Sequence, residues 1–219
     1  MPSTPSATAI EDYVKVIYGY TEWQPQRITT TVLAARLGLA NSTVTEMVKK
    51  LVAQGLVSHE PYGAIELTEA GTTLALRMVR RHRLIETWLV TSLGYRWDEV
   101  HDEAEVLEHA MSDRLLDALD AQLGHPSRDP HGDPIPAADG SVTAPDARLL
   151  AELAPGTAAA VARISDRDPA LLRHLDAEGI RVDTVIELVQ LDPEGAVVTV
   201  AGSRCELALE ACHSIWVTD

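Results

Sequence analysis

Apolar side chains recur at Ile10, Val14, Ile17 and Tyr18 within residues 8–23, a spacing of three to four that predicts an amphipathic helix closed by Pro25. A second helix is expected over residues 29–39, with Val32, Leu33 and Leu37 inward and Gly38 as its stop. After a short turn at Leu39 to Asn41, either Asn41 or Ser42 can cap a third helix running to about Gln54. Its inner face is Val44, Val48 and Leu51, and Gly55 closes it. Two short helices joined by a tight turn form a helix-turn-helix. Two strand-like runs follow, Leu56–His59 and Ala64–Leu67, separated by Pro61, Tyr62 and Gly63, and predict a hairpin wing.

The helical period returns from Thr68 to about Leu93 and again, as one or two helices, from Trp97 to Leu123, with Gly94 and Gly124 as punctuation. Residues 125–147 (HPSRDPHGDPIPAADGSVTAPDA) hold too few apolar positions for a regular packed element and read as a linker. Beyond it, Ala158–Ile164, Thr184–Gln190, Ala196–Val200 and Ser214–Val217 are β-prone, with one helical piece at Pro169–Ala177. The expected fold is therefore mainly α with a small β part. It comprises a winged helix-turn-helix over residues 1–72, a helical domain over 73–126, the linker 127–147 and a small β-barrel over 148–219.

Composition narrows the function classes. No run approaches eighteen apolar residues, and Met1–Ala9 lacks the basic region and apolar core of a secretory signal, so a cytoplasmic protein away from membranes is expected. The cysteines, Cys205 and Cys212, cannot build a disulfide framework or a four-thiolate zinc site. A net charge of −15 argues against nucleic acid until its distribution is counted. Residues 1–72 carry five Lys/Arg against seven Asp/Glu, residues 73–126 six against ten, and residues 127–219 seven against sixteen. The acidity grows toward the C-terminus and leaves the helix-turn-helix nearly neutral, free to present a local basic face.

In the helical domain, His101, Glu105, Glu108 and His109 fall at i, i+4, i+7 and i+8, on one helical face. His82 and Glu86 make a second i, i+4 pair on the preceding helix. One such pair is ordinarily just a solvated helix face. Six ligand-type residues within 28 positions point instead to divalent metal. Imidazole and carboxylate donors without sulfur suit manganese(II) or iron(II). For DNA, the third helix turns Ser42, Thr43, Thr45, Glu46, Lys49 and Lys50 away from its apolar face, and hydroxyls and lysines suit phosphates. A solvated bundle helix is the plain alternative, against which the wing weighs.

Through IEDYVKVIY, the STVTEMVKKL helix, RRHRLIETWL, VHDEAEVLEHAMSD and HPSRDPHGDPIP, residues 8–136 resemble the DtxR/MntR family of metalloregulators. The resemblance implies a homodimeric repressor, not an enzyme, with two metal sites per subunit. Asp12, Glu105, Glu108 and His109 would form the primary site, and His82, Glu86 and His101 the second. Longer members end in an SH3-like domain that can lend ligands, for which Asp166 or Asp168 are the donors available here. Iron-responsive members have Met and Cys at the positions of Asp12 and Glu105, so this chain carries the manganese pattern. Lys15 departs from the small manganese-responsive members, which have an acid there, and favours the separated two-site arrangement.

The expected function is a repressor that Mn(II) switches onto a palindromic operator of double-stranded DNA controlling metal-homeostasis genes. An iron(II)-dependent repressor of iron uptake is the alternative. A metal-dependent hydrolase is the rival from another class, since His and Glu rows also build catalytic sites, but no HExxH motif occurs.

Overall fold

The structure is a computed structural model that describes residues 7–24, 26–60 and 63–218. It divides into two compact units, Met1–Arg81 with Pro136–Ser141, and His82–Ile135 with Val142–Asp219.

The first unit opens with α1 (Ala7–Thr21), which buries Tyr13, Val14 and Ile17. In α2 (Thr30–Leu37) the Thr29 side chain accepts from Val32 N, and Gly38 ends the helix at φ 64°, a left-handed conformation that favours glycine. Helix α3 (Asn41–Ala53) buries Val44, Val48 and Leu51 as the pattern predicts. Its start differs from expectation, because neither Asn41 nor Ser42 caps it. Ala40, extended at φ −69° and ψ 142°, is the cap residue, and no side chain closes that end. Strands β1 (Val57–His59) and β2 (Ile65–Leu67) pair antiparallel, with Ser58 opposite Glu66. Ile65 N also donates to Ile28 O at 2.9 Å, which lays the segment before α2 alongside the hairpin. Pro25 and the wing-tip residues Pro61 and Tyr62 lie outside the described residues. One apolar cluster unites α1, α2, α3 and the hairpin around Ile17, Ile28, Leu33, Val48, Leu51 and Ile65.

Helix α4 (Glu69–Leu93) begins where Thr68 Oγ1 accepts from Gly71 N at 3.1 Å. The boundary between the units falls within it, after Arg81. The second unit continues with α5 (Val100–Leu107) and α6 (Asp113–Gln122), separated by turns, with Ser112 capping α6 through Leu115 N. Residues 125–147 contain no helix or strand among the described residues, as expected, yet Asp129 and residues 131–136 are buried.

The remaining strands are β3 (Arg148–Leu149), β4 (Thr157–Ile164), β5 (Val185–Asp192), β6 (Gly195–Val200), β7 (Ser203–Ala208) and β8 (Ile215–Thr218). They form one six-stranded sheet in the order β3-β8-β4-β5-β6-β7, every pairing antiparallel. Among the described residues no ladder joins β3 to β7, so the expected barrel is an SH3-like sheet whose edges stay unpaired. Helix α7 (Pro169–Ala177) follows β4, and the one-turn α8 (Leu209–Cys212) precedes β8. Their buried faces join the sheet in a core that includes Leu172, Leu175, Ile186, Val198 and Ile215, where both cysteines are also buried. Among the described residues, no helix is long and apolar enough to cross a membrane.

Candidate metal centre

Helix α4 sets His82 and Glu86 one turn apart, and α5 carries His101 in its first turn. The structure brings the three together. His82 Nε2 lies 3.1 Å from Glu86 Oε1 and 3.2 Å from His101 Nδ1. His101 Nδ1 is also 3.6 Å from Glu86 Oε1 and 3.2 Å from Asp166 Oδ2. Of the two aspartates considered beyond β4, Asp166 therefore joins the cluster. Asp168 instead caps α7, its Oδ1 accepting from Ala170 N at 2.8 Å.

A further residue is His131, which the linker reading passed over. It is fully buried, stacks on Trp97 with ring centroids 5.8 Å apart, and its Nε2 sits 2.7 Å from Trp97 O. Its Nδ1 has no hydrogen-bond partner among the described residues and lies 4.0 Å from Glu86 Oε2. A buried, unsatisfied ring nitrogen facing a carboxylate calls for explanation, and a cation held between them satisfies both. One donor atom each from Glu86, His131 and Asp166 lies within 4.8 Å of the others, as do those of His82, Glu86 and His101. The signal available in the sequence was a lone histidine between Pro130 and Gly132 in an aspartate-rich run.

Electrostatics fit a cation. Burial would push the Glu86 carboxyl up, but the charge of His82 and hydrogen bonds from His101 and His82 hold it below the ordinary carboxylate range. Burial opposes ionisation of Asp166 too, and the hydrogen bond and charge of His101 override it, again lowering the pKa. Burial disfavours a charged His101, yet its bonds to Asp166 and Glu86 raise its pKa to about 11. A proton on His101, favoured by that raised pKa, is what a divalent ion at its ring nitrogen would compete with. Every donor is an imidazole or a carboxylate, the ligand chemistry of manganese, iron or zinc.

The row expected on α5 continues past the helix end. Glu108, the cap residue, still donates its N–H to Ala104 O at 2.9 Å, so it stays in helical phase. It is completely buried, with Oε2 2.7 Å from His82 Nδ1 and Oε1 3.4 Å from His109 Nε2. Glu105 is half-buried, 3.7 Å from His101 Nε2. His82, Glu105 and Glu108 also place donor atoms within 4.8 Å of one another. His82 thus touches donors of both expected sets. Asp12 belongs to the first unit, where it is half-buried on α1.

On α3, Ser42, Thr43, Glu46 and Lys49 are exposed, and Thr45 and Lys50 partly so. Thr45 Oγ1 donates back to Asn41 O at 2.8 Å, and Lys49 Nζ lies 2.7 Å from Glu46 Oε1. Lys49 holds the Glu46 carboxyl below its ordinary pKa. Apolar residues face in and this polar set faces out, the division a groove-reading helix needs.

Residues 7–65 match the family described as the iron dependent repressor, N-terminal DNA binding domain, and residues 68–137 its metal binding and dimerisation domain. Residues 148–219 match the FeoA domain. The chain is 31% identical to the iron-dependent repressor IdeR of Mycobacterium leprae over 94% of its own length and 95% of that protein. With IdeR of Mycobacterium tuberculosis the match is 36% identical but spans only 58% of this chain and 54% of that repressor. A solved structure described as a manganese-dependent transcriptional repressor in complex with manganese is 49% identical, with a TM-score of 0.92 over 95% of this chain and 98% of that one.

Proposed function

The chain belongs to the iron-dependent repressor family and is a metal-dependent transcriptional repressor, and we propose that manganese(II) is the ion that switches it on. The observation that carries this reading is the donor chemistry. The clusters contain only imidazoles and carboxylates, and both cysteines are buried elsewhere, in the sheet core. Asp12 and Glu105, where iron-responsive members have Met and Cys, point the same way. So does the 49% identity to a repressor described as manganese-dependent.

We assign Asp12, Glu105, Glu108 and His109 to the primary site. His82, Glu86 and His101 are assigned to the second, with Asp166 and His131 as additional donors. A bound divalent ion supplies positive charge that offsets the buried carboxylates. With that charge in place, Asp12 on α1 is held with the α5 residues, and the apo protein, lacking the tie, binds operator poorly. In a two-fold dimer the α3 helices then address half-sites one helical turn or a multiple apart, so the operator is palindromic. Ser42, Thr43, Thr45, Lys49 and Lys50 contact phosphates and base edges, with Glu46 restraining Lys49 in the free protein.

Fluorescence anisotropy of a labelled palindromic promoter fragment, titrated with and without Mn(II), tests the switch. Affinity that ignores the metal refutes it. Metal choice is tested by combining Asp12→Met with Glu105→Cys, which softens the primary donors and moves the DNA-binding response from Mn(II) toward Fe(II). An unchanged metal profile places selectivity in other residues.

A further inference from the structure

The donors assigned to the second site come from separate stretches of chain. His82 and Glu86 are on α4, His101 is on α5, His131 is in the turn after α6, and Asp166 lies two residues past β4. Beside three of these stretches, α5 excepted, stands one member of a second, buried charged set: Arg83 next to His82, Asp133 two residues past His131, and Arg163 three before Asp166. The Asp133 carboxylate receives both arginines, its Oδ1 accepting from Arg163 Nε at 2.7 Å and from Arg83 Nη2 at 3.3 Å. All three side chains are at most 10% exposed.

Backbone contacts reinforce the convergence. Arg83 Nη1 donates to Pro134 O at 2.6 Å, and the Arg163 guanidinium lies 4.3 Å from the centre of the Trp216 ring. Asp129 Oδ1 accepts the amides of His131 and Asp133 at 2.8 and 3.0 Å, which winds the turn tightly. The turn lies against β4, where Ile164 N donates to His131 O at 2.8 Å. Gly132 is needed at that approach, because a Cβ there would stand 2.1 Å from Ala162 O.

We propose that Asp133, by bridging Arg83 and Arg163, is a positioning residue that holds three of the four donor-bearing stretches of the second site in register before the ion arrives. Buried ion pairs are a poor way to gain stability, since desolvation offsets most of their attraction. They are an effective way to fix geometry, because the planar guanidinium fork restricts direction as well as distance. Ordering three independent stretches around an ion costs conformational entropy. A clamp formed on folding removes that cost from the binding step. Partners beyond the ligating atoms commonly tune metal affinity by 10–100-fold.

The inference rests on the proposed second site, and the experiment separates the two. Mn(II) binding to the metal-free full-length protein is measured by calorimetry, with free Mn(II) counted by electron paramagnetic resonance and melting followed in EDTA. The proteins are wild type, Glu86→Gln, Asp133→Asn and Arg163→Lys. The last keeps the charge but loses the fork, and serves if Asp133→Asn does not fold. Expected is a loss of about 10- to 100-fold at one of two sites in Asp133→Asn and Arg163→Lys, the other site changing less than about twofold. Glu86→Gln should weaken the same site. If Glu86→Gln removes that site while both clamp variants bind Mn(II) like wild type and only melt lower, the clamp is merely structural and the proposal falls. If wild type binds one Mn(II) per chain, or Glu86→Gln changes nothing, the second site itself is refuted and the clamp with it.

Discussion

At the scale of single residues, the second unit relies on carboxylates whose surroundings decide their charge. Asp98, just before α5, is one that no proposed metal site uses. Its side chain is 2% exposed, with Oδ1 3.0 Å from Arg96 Nε and Oδ2 3.1 Å from Arg173 Nη1 of α7. Burial would raise its pKa, but the hydrogen bonds from Arg173 and Arg96 lower it below the ordinary 3.8. A depressed carboxylate contributes stability that is present above its unfolded pKa and lost as pH falls through the folded one. Asp98→Asn should therefore cost about 1–3 kcal/mol at neutral pH. Urea unfolding across pH should find that gap constant down to about pH 4 and closing below it. A gap that is flat into strong acid would mean the aspartate's charge plays no part. The histidines behave differently: His101 stands in a row of ligand-type residues, His131 in a run that reads as surface chain, and only their neighbours make one a bridge and the other an orphan.

Elements carried most of what the sequence could say. Helices α1, α3 and α7 bury residues three to four apart, and Gly38 ends α2 in the left-handed conformation that the pattern required. Strand β7 escaped prediction because exposed Arg204 and Glu206 interrupt its two buried residues, Cys205 and Leu207, and charged residues depress a strand signal. The turn at residues 129–136 escaped as well, because proline, glycine and aspartate read as surface chain. Apart from Ile135, which packs with Leu84 and Leu116, its burial comes from hydrogen bonds and ion pairs to α4 and β4, which leave no hydrophobic pattern. Gly132, at φ 92° and tight against Ala162 O, is the test of that packing. Gly132→Ala should destabilise the second unit by about 2–4 kcal/mol, combining overpacking and backbone strain. Thermal unfolding in EDTA checks this, and a melting point within a degree of wild type would contradict the close docking of the turn.

Over the whole molecule, the net charge of −15 acquires a purpose. Part of the excess sits as buried or half-buried carboxylates, Glu86, Glu108 and Asp166, that face imidazoles. A divalent ion that binds the folded chain and not the unfolded one stabilises it by RT ln(1 + [L]/Kd), about 2.7 kcal/mol per site at one hundred times Kd. Saturating Mn(II) should accordingly raise the melting temperature of the metal-free protein by several degrees, reversibly with EDTA. Calorimetric scans showing no shift would remove the second unit as a metal-binding body.

The sequence by itself determined the helix-turn-helix, the wing strands, the long α4 and the placing of His82, Glu86, Glu105 and Glu108 on helical faces. Period and spacing are local properties of a chain, so these features needed no knowledge of distant contacts. Tertiary structure alone decided that His131 faces Glu86 and that Asp166 reaches His101 while Asp168 caps a helix. It also decided that Asp133 meets two arginines from different elements. Those groupings join residues remote in sequence, and no period records them, because they exist only once the turn packs against α4 and β4.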